Sequence, residues 1–271
     1  MQTTGDLQLV KRINRSVLLR LLRSQGGMSR AQLALASGLT KTTVSQLVRE
    51  LVDEGWLREA GQTTGNATGS TTTQGPGRPS TPLQLDDQRL ALIGLEIAVQ
   101  NLRVVAVSLT GRLLSVLEEP LTDTQPEAVC QQSAALVGRT LQQLAGLNLH
   151  ILGLGVGLPG AYDEASGLLR FAPNLGWRNV AMLPLLTSAL AQAGLQPMDI
   201  PLRNEADTAA LSEHAFGESS APDSLMFFTF DVGVGAGSVP TDRLFHGAPG
   251  PARGTGPSVP PIHRPPPPCG R

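Results

Sequence analysis

Twenty consecutive residues, "GQTTGNATGSTTTQGPGRPS" from Gly61 to Ser80, are almost free of apolar side chains and cannot bury a core. A chain interrupted in this way cannot close around a single interior. It must build a small module before the interruption and a larger one after it. Charge divides at the same place: up to residue 60 there are 9 basic and 5 acidic residues, and beyond it 12 basic and 17 acidic. A nucleic-acid partner would therefore meet the front of the chain.

In that front, Ile13, Val17, Leu18, Leu21 and Leu22 recur at helical spacing until Gly26-Gly27, which predicts a first helix from Ile13. Ser29 stands three residues before Gln32, a capping box opening a short second helix that carries Leu33, Ala34 and Ala36 and ends at Gly38. Thr40 caps a third helix, with Val44, Leu47, Val48 and Leu51 as its inward stripe. Its outward face holds Lys41, Thr42, Thr43, Ser45, Gln46 and Arg49. Small Ala34, turn residue Gly38 and β-branched Val44 have the spacing of a helix-turn-helix, whose two helices cross closely at a sharp turn. Hydroxyls and amides on the outward face can meet base edges or phosphates, and Lys41 and Arg49 can neutralise phosphate charge. A three-helix protein-interaction module is the plainer alternative, against which the cationic, Thr-rich face of the third helix argues.

After Glu54-Gly55, "WLREAG" alternates like a strand, and "TPLQL" at Thr81 to Leu85 is its expected partner in a β-wing. The polar run between them is then a flexible wing loop. Its Gly77-Arg78-Pro79 could lay Arg78 in a minor groove, where narrow A·T-rich DNA concentrates negative potential.

Behind the wing, "LALIGLEIA", "LRVVAVSL" and "RLLSVLEEPL" read as three strands separated by short turns. A helix over Pro126 to Leu147, the strand "HILGLGVGLPG", a helix from about Val180 to Ala193, the strand "DIPL", a helix beginning near Asn204 and the strand "SLMFFTF" follow. The order is β-β-β-α-β-α-β-α-β, an α/β domain.

The helix-turn-helix, "GRPSTPLQL", the "GLGVGLPG" strand end, "APNLGW" and "NEADTAALSEHAFG", in this order, make the chain resemble the repressor branch of the ROK family (repressors, open reading frames and sugar kinases) from about residue 10 to residue 250. The resemblance implies a winged helix-turn-helix followed by an actin-like, hexokinase-like (ribonuclease H-like) domain, here incomplete. It implies a homo-oligomer that binds double-stranded operator DNA and answers to a small sugar or sugar-phosphate. The implied divisions are residues 1–62 for the DNA-binding domain, 63–88 for wing loop and linker, 89–237 for the first lobe and the start of the second, and 238–271 for an irregular tail.

Kinases of this family use an Asn-Asp-Ala-Asn motif whose Asp removes the proton of the attacking sugar hydroxyl; the matching residues here are Asn204, Glu205, Ala206 and Asp207. A base must lie within about 2.6–3.2 Å of its proton, so the extra methylene of Glu205 displaces it. Xylose-type repressors also carry Glu at this point, so Glu205 is expected to accept a sugar hydroxyl rather than to drive transfer. The kinases' Asp-x-Gly-Gly-Thr phosphate loop is replaced by "GLEIAVQN", with Ile97, Ala98 and Val99 where glycines are wanted. The glycine-rich "DVGVGAG" from Asp231 lacks the usual Thr. The reading is of no enzyme: Asn174, Asn204 and Glu205 are the sugar-binding candidates, with turn-shaping for Asn174 and helix capping for Asn204 as their structural alternatives. An ATP-dependent sugar kinase and a non-functional remnant remain the competing functions.

From Ser238 the chain holds 10 prolines in 34 residues and no helical or strand period. "RLFHGAPG" matches the family, but its Glu-x-Gly-His is replaced by Arg253-Gly254-Thr255-Gly256, and only Cys269-Gly270 resembles its zinc motif. No zinc or other cofactor is expected. The tail reads either as a polyproline ligand or as a truncation or frame change, the second favoured by the surviving landmarks. Two cysteines without Cys-Cys or Cys-His spacing suggest a reducing cytoplasm. No apolar run approaches the ~20 residues of a membrane helix, so no membrane partner is expected.

Overall fold

The computed structural model describes residues 5–60, 81–217, 224–230 and 234–240. The chain divides into two compact units, one of residues up to Ala91 with the 108–112 turn, the other of the rest.

The first unit is three helices and a two-stranded wing. α1 (Gly5–Gln25), α2 (Arg30–Ser37) and α3 (Lys41–Asp53) are followed by β1 (Leu57–Glu59) and β2 (Leu83–Leu85), antiparallel with Leu57 opposite Leu85. α2 starts on the expected capping box: the Ser29 amide donates to Gln32 Oε1 at 2.8 Å, and the Gln32 amide to Ser29 Oγ at 3.3 Å. α2 ends at Gly38, whose φ of +71° is left-handed backbone that glycine adopts without penalty. Thr40 then caps α3 by accepting the Thr43 amide at 3.1 Å; such a cap contributes about 1 kcal/mol. Val44, Leu47, Val48 and Leu51 are buried against Leu18, Leu22 and Leu33. Each fully buried side chain of this kind is worth about 1.5–3 kcal/mol, an upper estimate. Met28 forms an isolated antiparallel bridge to Leu83, their amides and carbonyls exchanging bonds of 3.1 and 2.8 Å, and so ties the start of α2 to the wing.

One expectation is corrected here. α1 begins at Gly5 rather than Ile13, and Ile13 is 51% exposed instead of facing inward. The early turns are helical through good helix formers such as Leu7, Gln8 and Lys11, without an apolar stripe that periodicity could register.

In the second unit, β3 (Leu90–Ile97), β4 (Asn101–Ser108), β5 (Leu113–Pro120), β6 (His150–Leu158) and β10 (Leu202–Asn204) form one sheet in the order β10-β6-β3-β4-β5. β4 and β5 are antiparallel and β10 is parallel to β6. Alternate residues of β3, β4 and β6, such as Ile93, Leu95, Val104 and Val156, enter one core with α4 (Pro126–Leu144) and α5 (Met182–Gln192). On its other side β6 presents Gly153 and Gly157. An added Cβ at Gly153 would stand 3.0 Å from the Asp199 carbonyl oxygen, and one at Gly157 3.8 Å from Glu205 Cα. These glycines let the backbone leading to and forming α6 (Glu205–Phe216) lie close to the sheet.

The predicted order lacks one feature. Between β6 and α5 the chain forms a three-stranded antiparallel sheet of β7 (Ala161–Asp163), β8 (Leu168–Ala172) and β9 (Trp177–Val180). Asp163 builds its first turn, accepting from the Ala165 amide at 3.1 Å, Ser166 Oγ at 2.7 Å and Arg170 at 2.8 Å, while Gly167 takes φ +69°. These contacts, Ser166 first, hold the Asp163 carboxyl at about 2. Finally β11 (Ser224–Phe230) pairs with β12 (Val234–Pro240), so Ser238–Pro240, placed in the irregular tail by composition, belong to a strand.

Candidate nucleic-acid interface and ligand site

On α3, Lys41, Thr42, Gln46 and Arg49 are exposed, whereas Thr43 and Ser45 are half-buried. Thr43 is partly engaged in the cap, its hydroxyl 2.9 Å from that of Thr40. Two acids, Glu50 and Glu54, stand one and two turns beyond Gln46 and would repel a phosphate backbone. They are neutralised from α1: Lys11 lies 2.8 Å from Glu50, and Arg15 makes a two-pronged pair with Glu54. The Lys11 ammonium draws the Glu50 carboxyl below its ordinary range, and the Arg15 guanidinium does the same to Glu54. Arg30 is likewise occupied with Glu59 at 2.9 Å. Among the described residues Lys41 and Arg49 make no ion pair, and their charges remain for an outside anion. Arg78 lies outside the described residues.

In the second unit the candidates gather around Gly160, which inspection of the sequence did not single out. Asn204 is the cap of α6: its side-chain oxygen accepts from the Ala206 amide at 2.9 Å and the Asp207 amide at 3.4 Å. Its amide nitrogen donates to the Gly160 carbonyl at 2.7 Å. Gly160 has φ +86°, and a Cβ there would collide with the Phe171 carbonyl oxygen and stand 2.8 Å from Ala172 Cα. Ala172 leads into the 3-10 turn Pro173–Leu175, which carries Asn174 on its exposed side and closes at Gly176, φ +72°. Gly160 thus joins the start of α6, with Asn204 and Glu205, to the loop bearing Asn174. Arg203, one residue before Asn204, pairs with Glu164 of the β7–β8 turn at 2.6 Å.

The capping expected as one alternative for Asn204 is therefore present, while Asn174 lies in a turn that the Gly176 amide closes by donating to the Pro173 carbonyl at 3.1 Å. With its oxygen and one hydrogen engaged, Asn204 has a single further N–H to offer beyond its bonds to the described residues. Trp177 is buried, its indole N–H donating to the Thr124 carbonyl at 2.6 Å, which makes it core rather than a stacking platform. Asp207 is buried in the first turn of α6, where the helix dipole favours an acid.

The positions that would handle phosphate are otherwise employed. Glu96 pairs with Arg103 at 3.2 Å, and Arg103 with Glu118 at 3.0 Å, across three strands. The turn after Ile97 is closed by the Ala98 amide donating to the Asn101 carbonyl at 2.9 Å. Gly235 and Gly237 serve packing: a Cβ on Gly237 would stand 2.7 Å from the Ala206 carbonyl carbon and 2.8 Å from Ala210 Cβ. Among the described residues, no group of three or more His, Cys, Asp or Glu is placed to hold a metal, and no helix is long and apolar enough to cross a membrane.

These features define a winged helix-turn-helix head joined to a lobe of an actin-like, ribonuclease H-like α/β domain. The chain belongs to the ROK family, whose model matches residues 92–271, and the IclR helix-turn-helix domain model matches residues 16–61. A xylose repressor of Caldicellulosiruptor bescii is 28% identical over 251 residues, covering 91% of this chain and 58% of the relative. A solved ROK family transcriptional regulator, a homologue of the E. coli MLC protein, covers 91% of this chain and 58% of its own, with a TM-score of 0.71 at 22% identity. The ROK hexokinase of Thermus thermophilus covers 60% of this chain and 51% of its own, with a TM-score of 0.50 at 25% identity. The chain spans 58% of the length of the xylose repressor it matches.

Proposed function

We propose that the chain is a sugar-responsive, DNA-binding transcriptional repressor of carbohydrate-metabolism genes. The observation that carries this reading is the face of α3, where Lys41, Thr42, Gln46 and Arg49 are exposed while neighbouring acids are neutralised from within. The repressor and regulator names of the relatives support it. Its partner is double-stranded operator DNA. A homo-oligomer would read near-palindromic half-sites about 34–36 Å apart, one turn of the duplex. Asn174, Asn204 and Glu205 meet the hydroxyls of a small sugar or sugar-phosphate, and Arg78 adds a minor-groove contact from the wing. The protein acts in the cytoplasm without zinc, since Arg253-Gly254-Thr255-Gly256 supplies no ligand where the family has Glu-x-Gly-His.

The same reading holds that no phosphoryl transfer occurs, although a hexokinase shares the fold. Glu96 is tied to Arg103, and the glycines of β12 are committed to packing. Fluorescence anisotropy on DNA from upstream of the protein's own gene, with a salt titration and a panel of hexoses and pentoses, tests the proposal. Salt-sensitive, sequence-selective binding that one sugar shifts is expected. Sugar-dependent ADP formation lost in Glu205→Ala would instead establish a kinase, and binding indifferent to every sugar would remove the sensor.

A further inference from the structure

We propose that Glu50 is a positioning residue that sets Gln46 to read adenine in the major groove, and that Lys11 holds Glu50 in that role. The inference rests on the DNA-binding reading of α3. Gln46 and Glu50 are four residues apart and share a helix face, and the Gln46 side-chain nitrogen donates to Glu50 Oε1 at 3.5 Å. Glu50 is bound in turn to Lys11, with Nζ 2.9 Å from Oε1 and 2.8 Å from Oε2.

The chemistry follows from what each group can do. An ionised carboxylate only accepts, so it must face the nitrogen of the Gln46 amide and not its oxygen. That removes the two-fold ambiguity of the amide. The engaged hydrogen leaves the Gln46 oxygen and the other N–H as one outward edge, an acceptor beside a donor. Adenine presents the complementary pair in the major groove, the N6 amino donor and the N7 acceptor. Guanine presents two acceptors there and cannot satisfy both groups.

Lys11 does two things for this arrangement. It fixes the carboxylate in place, with Nζ 2.9 Å from Oε1 and 2.8 Å from Oε2, and draws it below its ordinary range. It also cancels a negative charge that would otherwise face phosphate. Lys11–Glu50 and Arg15–Glu54 repeat at the same four-residue step on α1 and α3, so the two helices are pinned side by side at this point. An acid on a DNA-reading helix costs affinity unless it contributes to selectivity, and its hydrogen bond to Gln46 is where that contribution lies.

The test is anisotropy of the full chain on its upstream DNA and on single base-pair variants, with thermal melts alongside. Wild type should favour A·T at one base pair by about tenfold, and Gln46→Ala should abolish that preference alone. Glu50→Ala should lose most of the same preference at the same base pair, and Gln46→Ala with Glu50→Ala should lose no more than Gln46→Ala. Glu50→Gln, which keeps an acceptor but not the Lys11 pair, should retain part of it. A merely structural role would weaken binding evenly over all sequences and follow the melting temperature. Retention of the A·T preference in a folded Glu50→Ala protein would overturn the inference, as would a Gln46→Ala variant with unchanged base preference; both leave the DNA-binding reading intact. A wild type without sequence selectivity would sink that reading first.

Discussion

Gly160→Ala should disrupt the ligand site more than its single methyl suggests. At φ +86° an L-residue bears a left-handed backbone cost, and the new Cβ also meets the backbone of Phe171 and Ala172, which cannot rotate aside. The first effect is about 1–2 kcal/mol and the overpacking about 1–3 kcal/mol, together about 2–5 kcal/mol. Gly167→Ala separates them: its φ is +69°, yet nothing lies within 4 Å of a new Cβ, so only the backbone cost applies. Urea unfolding followed by Trp177 fluorescence in a Trp56→Phe background reads the second unit alone, because Trp177 is buried there. The Gly160 carbonyl also receives the Asn204 amide, so sugar affinity should fall in Gly160→Ala and hold in Gly167→Ala. Two variants equal within about 0.5 kcal/mol would refute the close approach at Gly160.

Three further outcomes are expected. Lys41→Ala and Arg49→Ala should each reduce the slope of log affinity against log salt by about 0.9, the release expected per phosphate contact, while Lys11→Ala combined with Glu50→Ala leaves the slope unchanged because the charges removed already cancel; equal slopes for all three proteins would contradict the assignment of free and paired cations. Burial pushes the Cys130 thiol up to about 12, so on a Cys269→Ser background it should react with a thiol reagent at pH 8 only as fast as the second unit opens, and rapid labelling of native protein would refute that burial. Glu50 and Glu54 are depressed in the folded state, so their contribution to the first unit is present above the unfolded carboxylate value near 4.5 and is lost as pH falls through the lower folded values; an acid titration by circular dichroism should show Lys11→Met with Arg15→Met unfolding at higher pH than wild type, and coincident curves would deny the ladder.

The head was legible because its signals are local. Ser29 with Gln32, Gly38, and the Val44-to-Leu51 stripe each constrain a few neighbouring residues, and each appears as expected. The early turns of α1 were not legible, since a helix with exposed Leu7 and Val10 has no buried stripe to betray it. The three-stranded sheet after β6 was hidden for a different reason. Its strands have three to five residues, too few for a period-two pattern, and only Asp163 followed by Gly167 marked a turn. Asn204 and Glu205 were visible as a polar cluster, but Gly160, which links them to the Asn174 loop, lies 44 residues earlier than Asn204. Long-range contacts of that kind leave no spacing to read.

The arrangement around α6 also bears on the proposed function, in which this lobe senses a ligand and does not phosphorylate it. A transferring enzyme needs a base at the sugar hydroxyl, glycine-lined backbone at the phosphates, and both in register with each other. Here Asn204 divides its amide between the α6 cap and Gly160, and Gly237 is filled against by Ala206 and Ala210. Glu96 answers to Arg103. Freeing Asn204 or opening space at Gly237 would remove a contact that holds α6 in place, whereas the exposed Glu96–Arg103 pair adds little to stability. A sensor has a smaller requirement: a ligand need only bind one conformation more tightly than another, and a hundredfold preference is about 2.7 kcal/mol, within reach of two or three well-placed hydrogen bonds to charged or amide groups. Under the proposed function the remaining N–H of Asn204, the Glu205 carboxylate and the exposed Asn174 amide are of that number. Asn204 is held through the Gly160 carbonyl and the Asn174 loop packs against Gly160, so under the proposed function this glycine is where sensing and folding become the same constraint.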